Sequence, residues 1–283
     1  MILKKWNELP EEMRTEAVRK YYDILARRKY SLFVKRIFDI AVALVMLILL
    51  SPVFLILAIA IKLDSPGPVF YRQERVTQYG KRFRIHKFRT MVQNADRGSQ
   101  ITVGNDSRIT RVGNFIRNCR LDEIAQLLDV ISGNVTFVGV RPEVPRFVDE
   151  YTDEMMATLL LPAGVTSLAS IYYKDEARML EGAEDTDKAY IEKILPEKMY
   201  YNLRGLEKFS FFGDIKIMFM TVFAVLGKDY IGDYVRKKEC AVSISSQGEI
   251  TDALSELDAQ DDKSEITEEK IFENEENEQA SVL

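Results

Sequence analysis

Asp122 and Glu123 are adjacent carboxylates in a stretch whose other charges are mostly arginine, close to the start of an amphipathic pattern. On a helix, neighbouring side chains diverge by about 100 degrees, so both can reach one ion from the rim of the apolar face. Where phosphates are present, a hard cation such as magnesium suits this pair, because it takes few carboxylates and completes its shell with substrate oxygens. One of the two could instead act as a nucleophile and form an acyl phosphate. The plain alternative is a solvated first turn, where acids complement the helix dipole. Residue type alone leaves all three readings open. His86 is the only histidine, and the two cysteines, Cys119 and Cys240, show no metal spacing. A histidine-based triad, a zinc cluster and a disulfide framework are therefore excluded.

The elements that must position such a pair begin with Ile40 to Ile61, 22 residues without a charge. A hydrocarbon core about 30 Å thick needs roughly 20 apolar residues of helix, so this run is long enough to cross. Ser51-Pro52 interrupts it near the middle. Proline removes a backbone donor and clashes with the preceding turn, which predicts a kink or reversal near Ser51. Both flanks are basic: residues 1 to 36 hold ten Lys or Arg against five acids, and Lys62, Arg72, Arg75, Lys81, Arg82, Arg84, Lys87 and Arg89 follow. Because basic flanks stay cytoplasmic, a re-entrant segment that enters and leaves one leaflet is favoured over a straight span. Ser51 can partner a backbone group freed at the bend. No cleavable signal peptide is visible, so the segment is expected to persist in the mature protein.

The chain has 283 residues and a net charge of −5, unevenly placed. Thirteen acids against two lysines from Ala241 onward leave that tail at −11 and the remaining body at +6. A basic body beside an apolar segment suits anionic headgroups, phosphorylated lipids or nucleotides. No nucleic-acid motif is present, so nucleic acid is not expected as a partner. The acidic tail cannot bury a core and is predicted to be disordered.

Residues 1 to 30 read as helical from a first turn at Pro10-Glu11-Glu12, with Met13, Ala17, Tyr21, Ile24 and Leu25 on one face. That face suits the membrane surface or the protein's own core equally well. After the turn cluster Asp64-Ser65-Pro66-Gly67-Pro68, strands at Val69 to Tyr71 and Phe83 to Phe88 form a basic hairpin about Tyr79-Gly80, with His86 as a strand residue. Gln93 to Thr102 reads as loop. Asn114 to Ile131 reads as one helix, with Leu121, Ile124, Ala125, Leu128 and Ile131 on a face and Gly133-Asn134 as its stop. Val135 to Val140 reads as a buried strand, and Tyr190 to Lys228 as helical and aromatic-rich, its most apolar part shared between membrane interface and core. The resulting class is α+β and mainly helical. Four regions are expected: an amphipathic helix (1–34), the re-entrant membrane helix (35–63), a cytoplasmic domain with interfacial helices (64–235) and the acidic tail (236–283).

Several strings carry a resemblance in order and in register. They are Lys35-Arg36-Ile37-Phe38-Asp39, Pro68 to Arg75, Lys87-Phe88-Arg89-Thr90-Met91, Leu121-Asp122-Glu123 with Gln126-Leu127, and Val138-Gly139-Val140-Arg141-Pro142-Glu143. Over roughly Tyr30 to Lys228 the chain closely resembles the bacterial sugar transferases, the small monotopic phosphoglycosyl transferases of bacterial membranes. The resemblance implies transfer of a sugar 1-phosphate from a nucleoside diphosphate sugar, usually a UDP-sugar, to a polyprenyl phosphate such as undecaprenyl phosphate. It also implies a re-entrant helix broken at Ser51-Pro52, an Asp122-Glu123 dyad and Mg2+. Asp122 would attack the sugar-bearing phosphorus and expel UMP, polyprenyl phosphate would then take the phosphosugar, and Glu123, with Asp122 beside it, would hold the metal. Such an enzyme works on the cytoplasmic face of the bacterial inner membrane among its lipids and initiates glycan assembly; a homodimer is left open.

A diphosphate donor, a phosphorylated lipid and a leaving nucleotide all call for positive charge. Lys87 and Arg89 in the Lys-Phe-Arg-Thr-Met string, Arg117 five residues before Asp122, and Arg141 are the candidates. The chain departs from the family pattern at Ala125 and Val140, where proline is usual, and in Pro162 to Ser170, so the sugar and the nucleotide are not readable. The competing reading is a non-catalytic membrane scaffold that recruits partners through its acidic tail.

Overall fold

The computed structural model describes residues 3–93, 95, 108–174, 176–180 and 185–226. The expected loop after Gln93 lies largely outside these residues, and the acidic tail lies wholly outside them.

Thr15 accepts a hydrogen bond from the Val18 amide, capping α1, Glu16–Arg27. The helix thus begins later than a first turn at Pro10; residues 6–8 and 11–13 form two short 3-10 turns instead. Pro10 sits before the second turn because its fixed φ of −52° and ψ of 148° are extended, not helical. Val18, Tyr21, Tyr22 and Leu25 are buried with Met13, Leu160 and Leu206. Of the two readings of its apolar face, packing on the protein's own core is the one observed.

A single helix, α2, runs from Lys29 to Asp64 over 36 residues with Pro52 inside it, so residues 29–34 belong to the long apolar helix. Proline at position 52 deprives the Ile48 carbonyl of its i+4 donor. The Ser51 hydroxyl donates to that same carbonyl at 2.7 Å, which lets the helix pass through the Ser-Pro pair. Leu44, Val45, Ile48, Leu49, Leu55 and Ile56 stay exposed along it. Yet both ends are fastened to the body. Arg36 donates to the Val130 and Ile131 carbonyls, at 2.7 and 3.1 Å, and Asp64 accepts from the Val112 amide at 3.0 Å.

β1 (Phe70–Val76) and β2 (Arg82–Phe88) pair antiparallel, Phe70 opposite Phe88 and Val76 opposite Arg82. Tyr79 and Gly80 take positive φ at the connection, as a tight reversal of strands requires. Phe83 and Ile85 pack with Ala43 of α2, whereas Phe88 packs with Leu57 and Ile61 at its other end. β2 thereby shares one apolar cluster with the N-terminal half of α2 and another with its C-terminal half.

The stretch read as one helix is three pieces: α3 (Arg111–Asn118), a 3-10 turn (Leu121–Gln126) and α4 (Leu127–Ser132). The break has a cause in Arg120, whose φ of 55° is left-handed and cannot continue a right-handed helix. Gly133, at φ 86°, ends α4 where the sequence placed the stop. β3 (Val135–Val138) is fully buried and pairs in parallel with β4 (Ala163–Thr166). Between them lies α5 (Pro145–Val148). Short helices α6 (Leu168–Tyr172), α7 (Glu176–Met179) and α8 (Thr186–Ala189) lead through a π turn at Tyr190–Ile194 into α9 (Leu195–Glu207). α10 (Phe211–Val225) follows. It buries none of its residues and exposes Phe212, Phe219, Val222 and Phe223. Lys35 of α2 pairs with Asp214 of α10 at 2.6 Å, tying the two apolar helices together.

The fold is mostly helical with two small two-stranded sheets, and its long apolar helix near the N-terminus is long enough to cross a membrane.

Candidate active site

Asp122 and Glu123 occupy the first turn of the 3-10 segment that Arg120 starts. Beside this turn runs β2, which delivers Lys87. Asp129 of α4 holds the strand at that point: its buried carboxylate accepts from the His86 amide and from His86 Nδ1, both at 2.8 Å. Arg141 arrives from the opposite side, just past β3. There the Gly139 amide donates to Thr166 O at 2.9 Å and the Gly164 amide to Val140 O at 2.7 Å. The two backbones approach so closely that a Cβ on Gly164 would lie 2.2 Å from Gly139 N, so only glycine fits.

The two carboxylates are in different states. Glu123 accepts from Lys87 Nζ at 3.0 Å and from both terminal nitrogens of Arg141. Burial alone would raise its pKa, but Arg141 and Lys87 together outweigh that and hold it far below the ordinary carboxylate range. Asp122 has no side-chain hydrogen-bond partner among the described residues. Burial pushes its pKa up, the Glu123 charge adds to that, and Lys87 only partly opposes it. One carboxylate is a fixed anion locked between two cations, and its neighbour is desolvated and unengaged.

Of the candidates read from sequence, Asp122, Glu123, Lys87 and Arg141 are brought together. Arg117 lies at the edge, donating from Nε to the Thr90 hydroxyl at 2.9 Å and near enough to act electrostatically on Asp122. Arg89 is elsewhere. It is buried, and its guanidinium donates to the carbonyls of Pro66 and Ser65, each at 2.7 Å, and Ile61 at 3.4 Å. It therefore caps the C-terminal end of α2. Ser51 and Pro52 lie within α2, away from the dyad in sequence and in its exposed middle.

Sequence reasoning gave no role to Arg75, Glu143, Tyr190 and Lys198, which lie behind Arg141. Arg75 donates to Pro142 O at 3.1 Å, and Lys198 Nζ lies 3.1 Å from Glu143 and 2.7 Å from the Tyr190 hydroxyl. The available signal was Lys198 itself. It falls beside the buried stripe Leu195, Met199, Asn202 and Leu206 of α9, where a lysine needs an anionic partner.

A family model described as bacterial sugar transferase matches residues 30–228. A UDP-N-acetylgalactosamine-undecaprenyl-phosphate N-acetylgalactosaminephosphotransferase of Aeromonas hydrophila is 36% identical over 176 residues, 61% of this chain and 38% of that protein. A UDP-glucose:undecaprenyl-phosphate glucose-1-phosphate transferase of Escherichia coli K12 is 35% identical over 59% of this chain and 34% of its own length. A protein of the same description from Caulobacter vibrioides is 34% identical over 62% of this chain and 63% of its own. The matched part of the chain thus spans just over a third of the first two relatives. The match over residues 30–228 includes every residue of the dyad site, and the chain belongs to the bacterial sugar transferase family.

Proposed function

We propose that the chain transfers a sugar 1-phosphate from a UDP-sugar to undecaprenyl phosphate or a similar polyprenyl phosphate, at the cytoplasmic face of the bacterial inner membrane, as the first step of a surface glycan. The observation that carries this reading is the contrast within the dyad: Glu123 clamped by Lys87 and Arg141, Asp122 desolvated and unengaged. A desolvated carboxylate that accepts from no other side chain among the described residues, only from its own amide, is suited to attack.

Asp122 forms a bond to the sugar-bearing phosphorus as the bond from that phosphorus to the bridging oxygen breaks, and UMP leaves with the electron pair. An oxygen of polyprenyl phosphate then bonds to the same phosphorus, and the Asp122 carboxylate is released. No proton need move in either displacement. Lys87 and Arg141 keep Glu123 ionised and stand ready to share their donors with the diphosphate, with Arg117 at the edge. The donor set suits Mg2+: among the described residues Glu123 Oε2 takes only one hydrogen bond, at 3.3 Å, and Asp122 is adjacent. These two would hold the ion, which supplies neutralisation of diphosphate charge, with the remaining ligands coming from substrate oxygens.

The fastening of α2 supports a re-entrant segment. Arg36 and Asp64 are 28 residues apart, about 42 Å along a straight helix, enough to place them on opposite sides of a hydrocarbon core about 30 Å thick. Both are hydrogen-bonded to the same stretch, Val112 to Ile131. A body that holds both ends is most simply placed on one side of the membrane, with the exposed middle of α2 and the apolar surface of α10 in lipid. The test is UMP release by purified protein given magnesium, a polyprenyl phosphate and a panel of UDP-sugars. Release that requires Asp122 supports the reading; silence across the panel with intact folding sinks it.

A further inference from the structure

Behind the dyad site, a second charged cluster is more deeply buried than the first. Lys198 is 4% exposed, Glu143 8% and Tyr190 3%. Lys198 Nζ reaches Glu143 Oε1 and Glu176 Oε2, both at 3.1 Å, and the Tyr190 hydroxyl donates to Glu143 Oε1 at 2.6 Å. Arg75 Nη1 lies 4.0 Å from Glu143 Oε2. Only Pro142 separates this cluster from Arg141, which feels the charges of both Glu176 and Glu143 as well as that of Glu123.

Arg141 is hydrogen-bonded to Glu123, which it must face for the proposed reaction. Glu143, two residues further along the chain, and Glu176 also act on it electrostatically and would draw it away if their charges were free. The charges of the two clusters nearly offset: Asp122, Glu123, Glu143 and Glu176 against Lys87, Arg141, Arg75 and Lys198, with Arg117 at the edge. Burial by itself would lower the Lys198 pKa, but its two carboxylates outweigh that and raise it above the ordinary lysine value.

We propose that Lys198 is a positioning residue for the transferase reaction, neutralising Glu143 and Glu176 so that Arg141 remains on Glu123 and the site accepts an anionic donor. Lys198 touches no reacting atom; it acts through Arg141 and through the net charge of the site. The inference rests on the transferase reading above and adds to it a residue from α9.

The test compares Lys198→Met, Lys198→Arg and the double variant Lys198→Met with Glu176→Gln. Glu176 is 40% exposed, so its amide is tolerated without a cavity or a buried charge. Removing one cation from a partly desolvated site is expected to raise KM for the UDP-sugar about tenfold or more, with a smaller effect on kcat. Arginine at 198 restores KM to within about threefold, and so does the double variant, because deleting one anion rebalances the missing cation. A lysine that served only to hold the fold would lower the melting temperature of Lys198→Met while leaving the UDP-sugar KM of the folded variant unchanged, and that result overturns the proposal. So does an unchanged KM in Lys198→Met. A structure of Lys198→Met in a nanodisc gives a reading that needs no turnover: Arg141 is expected to have moved from Glu123 to Glu143 or Glu176, and Arg141 still seated on Glu123 overturns the proposal. Absence of UMP release by the unaltered protein counts against the transferase reading alone, since the position of Arg141 is measured separately.

Discussion

Arg89→Met separates a substrate ligand from a structural clamp. The Arg89 guanidinium is 5% exposed and makes its two shortest bonds, both 2.7 Å, to the Ser65 and Pro66 carbonyls, where α2 ends. Hydrogen bonds to a charged donor contribute about 1.5–3 kcal/mol each, so these two supply roughly 3–6 kcal/mol. The bond to Ile61 O, at 3.4 Å, is weak, and that carbonyl already accepts from the Ser65 amide. Relief from burying a cation, whose Nε has no partner among the described residues, offsets part of the loss. The net expectation is a destabilisation of about 2–4 kcal/mol, or a fall of roughly 5–15 °C in Tm for a domain of this size.

The assay is thermal unfolding of the nanodisc-embedded protein, with UDP-sugar KM measured below the transition. Arg89→Lys keeps the charge but cannot fork to several carbonyls, so it should fall between the two. A methionine variant that melts with the parent protein yet shows a KM raised tenfold would refute the clamp and return Arg89 to the substrate.

Asp122→Asn should lower UMP release by on the order of 10^4-fold or more while leaving the melting temperature within a few degrees, since the side chain has no partner to lose. Gly67→Ala is expected to destabilise by about 1–3 kcal/mol in thermal unfolding, because φ is +122° there and the new Cβ would lie 2.0 Å from Arg89 Nη1. Glu143 starts from a burial that would raise its pKa, but Lys198 and Arg75 bring the folded value below the usual range. Its contribution to stability is therefore complete above the unfolded value of about 4.3 and is lost as pH falls through the lower folded value, and Glu143→Gln should flatten that part of an acid-unfolding curve. Single cysteines in residues 5–30 and at the hairpin turn should label from the same face of an oriented vesicle; labelling from opposite faces refutes the re-entrant placement.

What could be read from sequence was local. The apolar run, the Tyr79-Gly80 reversal and the Gly133 stop each depend on residues within a few positions of one another, and each appears where expected, whereas the break expected at Ser51-Pro52 is not seen, because α2 runs through it as one helix. The 3-10 turn under the dyad was hidden. Leu121, Ile124, Ala125 and Leu128 recur at spacings that fit three or 3.6 residues per turn alike, and the break depends on the backbone of Arg120, a residue type that gives no warning of positive φ. β4 was hidden for another reason. Ala163 and Gly164 are poor strand formers, and the pairing with β3 is parallel and distant in sequence. Lys198 meets Glu143 from 55 residues away, a contact that no spacing rule describes.

The placement of Arg89 shows how the site and the long apolar helix are joined. Alternation along a strand would put Lys87 and Arg89 on one face; β2 ends at Phe88, and although the Arg89 amide still donates to Val69 O at 2.9 Å, its side chain reaches the end of α2 and not the dyad. Four consecutive residues then face three structures: Lys87 binds Glu123, Phe88 packs against Leu57 and Ile61, Arg89 caps α2, and the Thr90 hydroxyl accepts from Arg117. A shift of α2 along its axis would have to drag this segment with it, and with it the cation that locks Glu123. These bonds fix the dyad to α2 within hydrogen-bonding tolerance, so the position of the carboxylates relative to the long apolar helix is set by one short stretch of backbone.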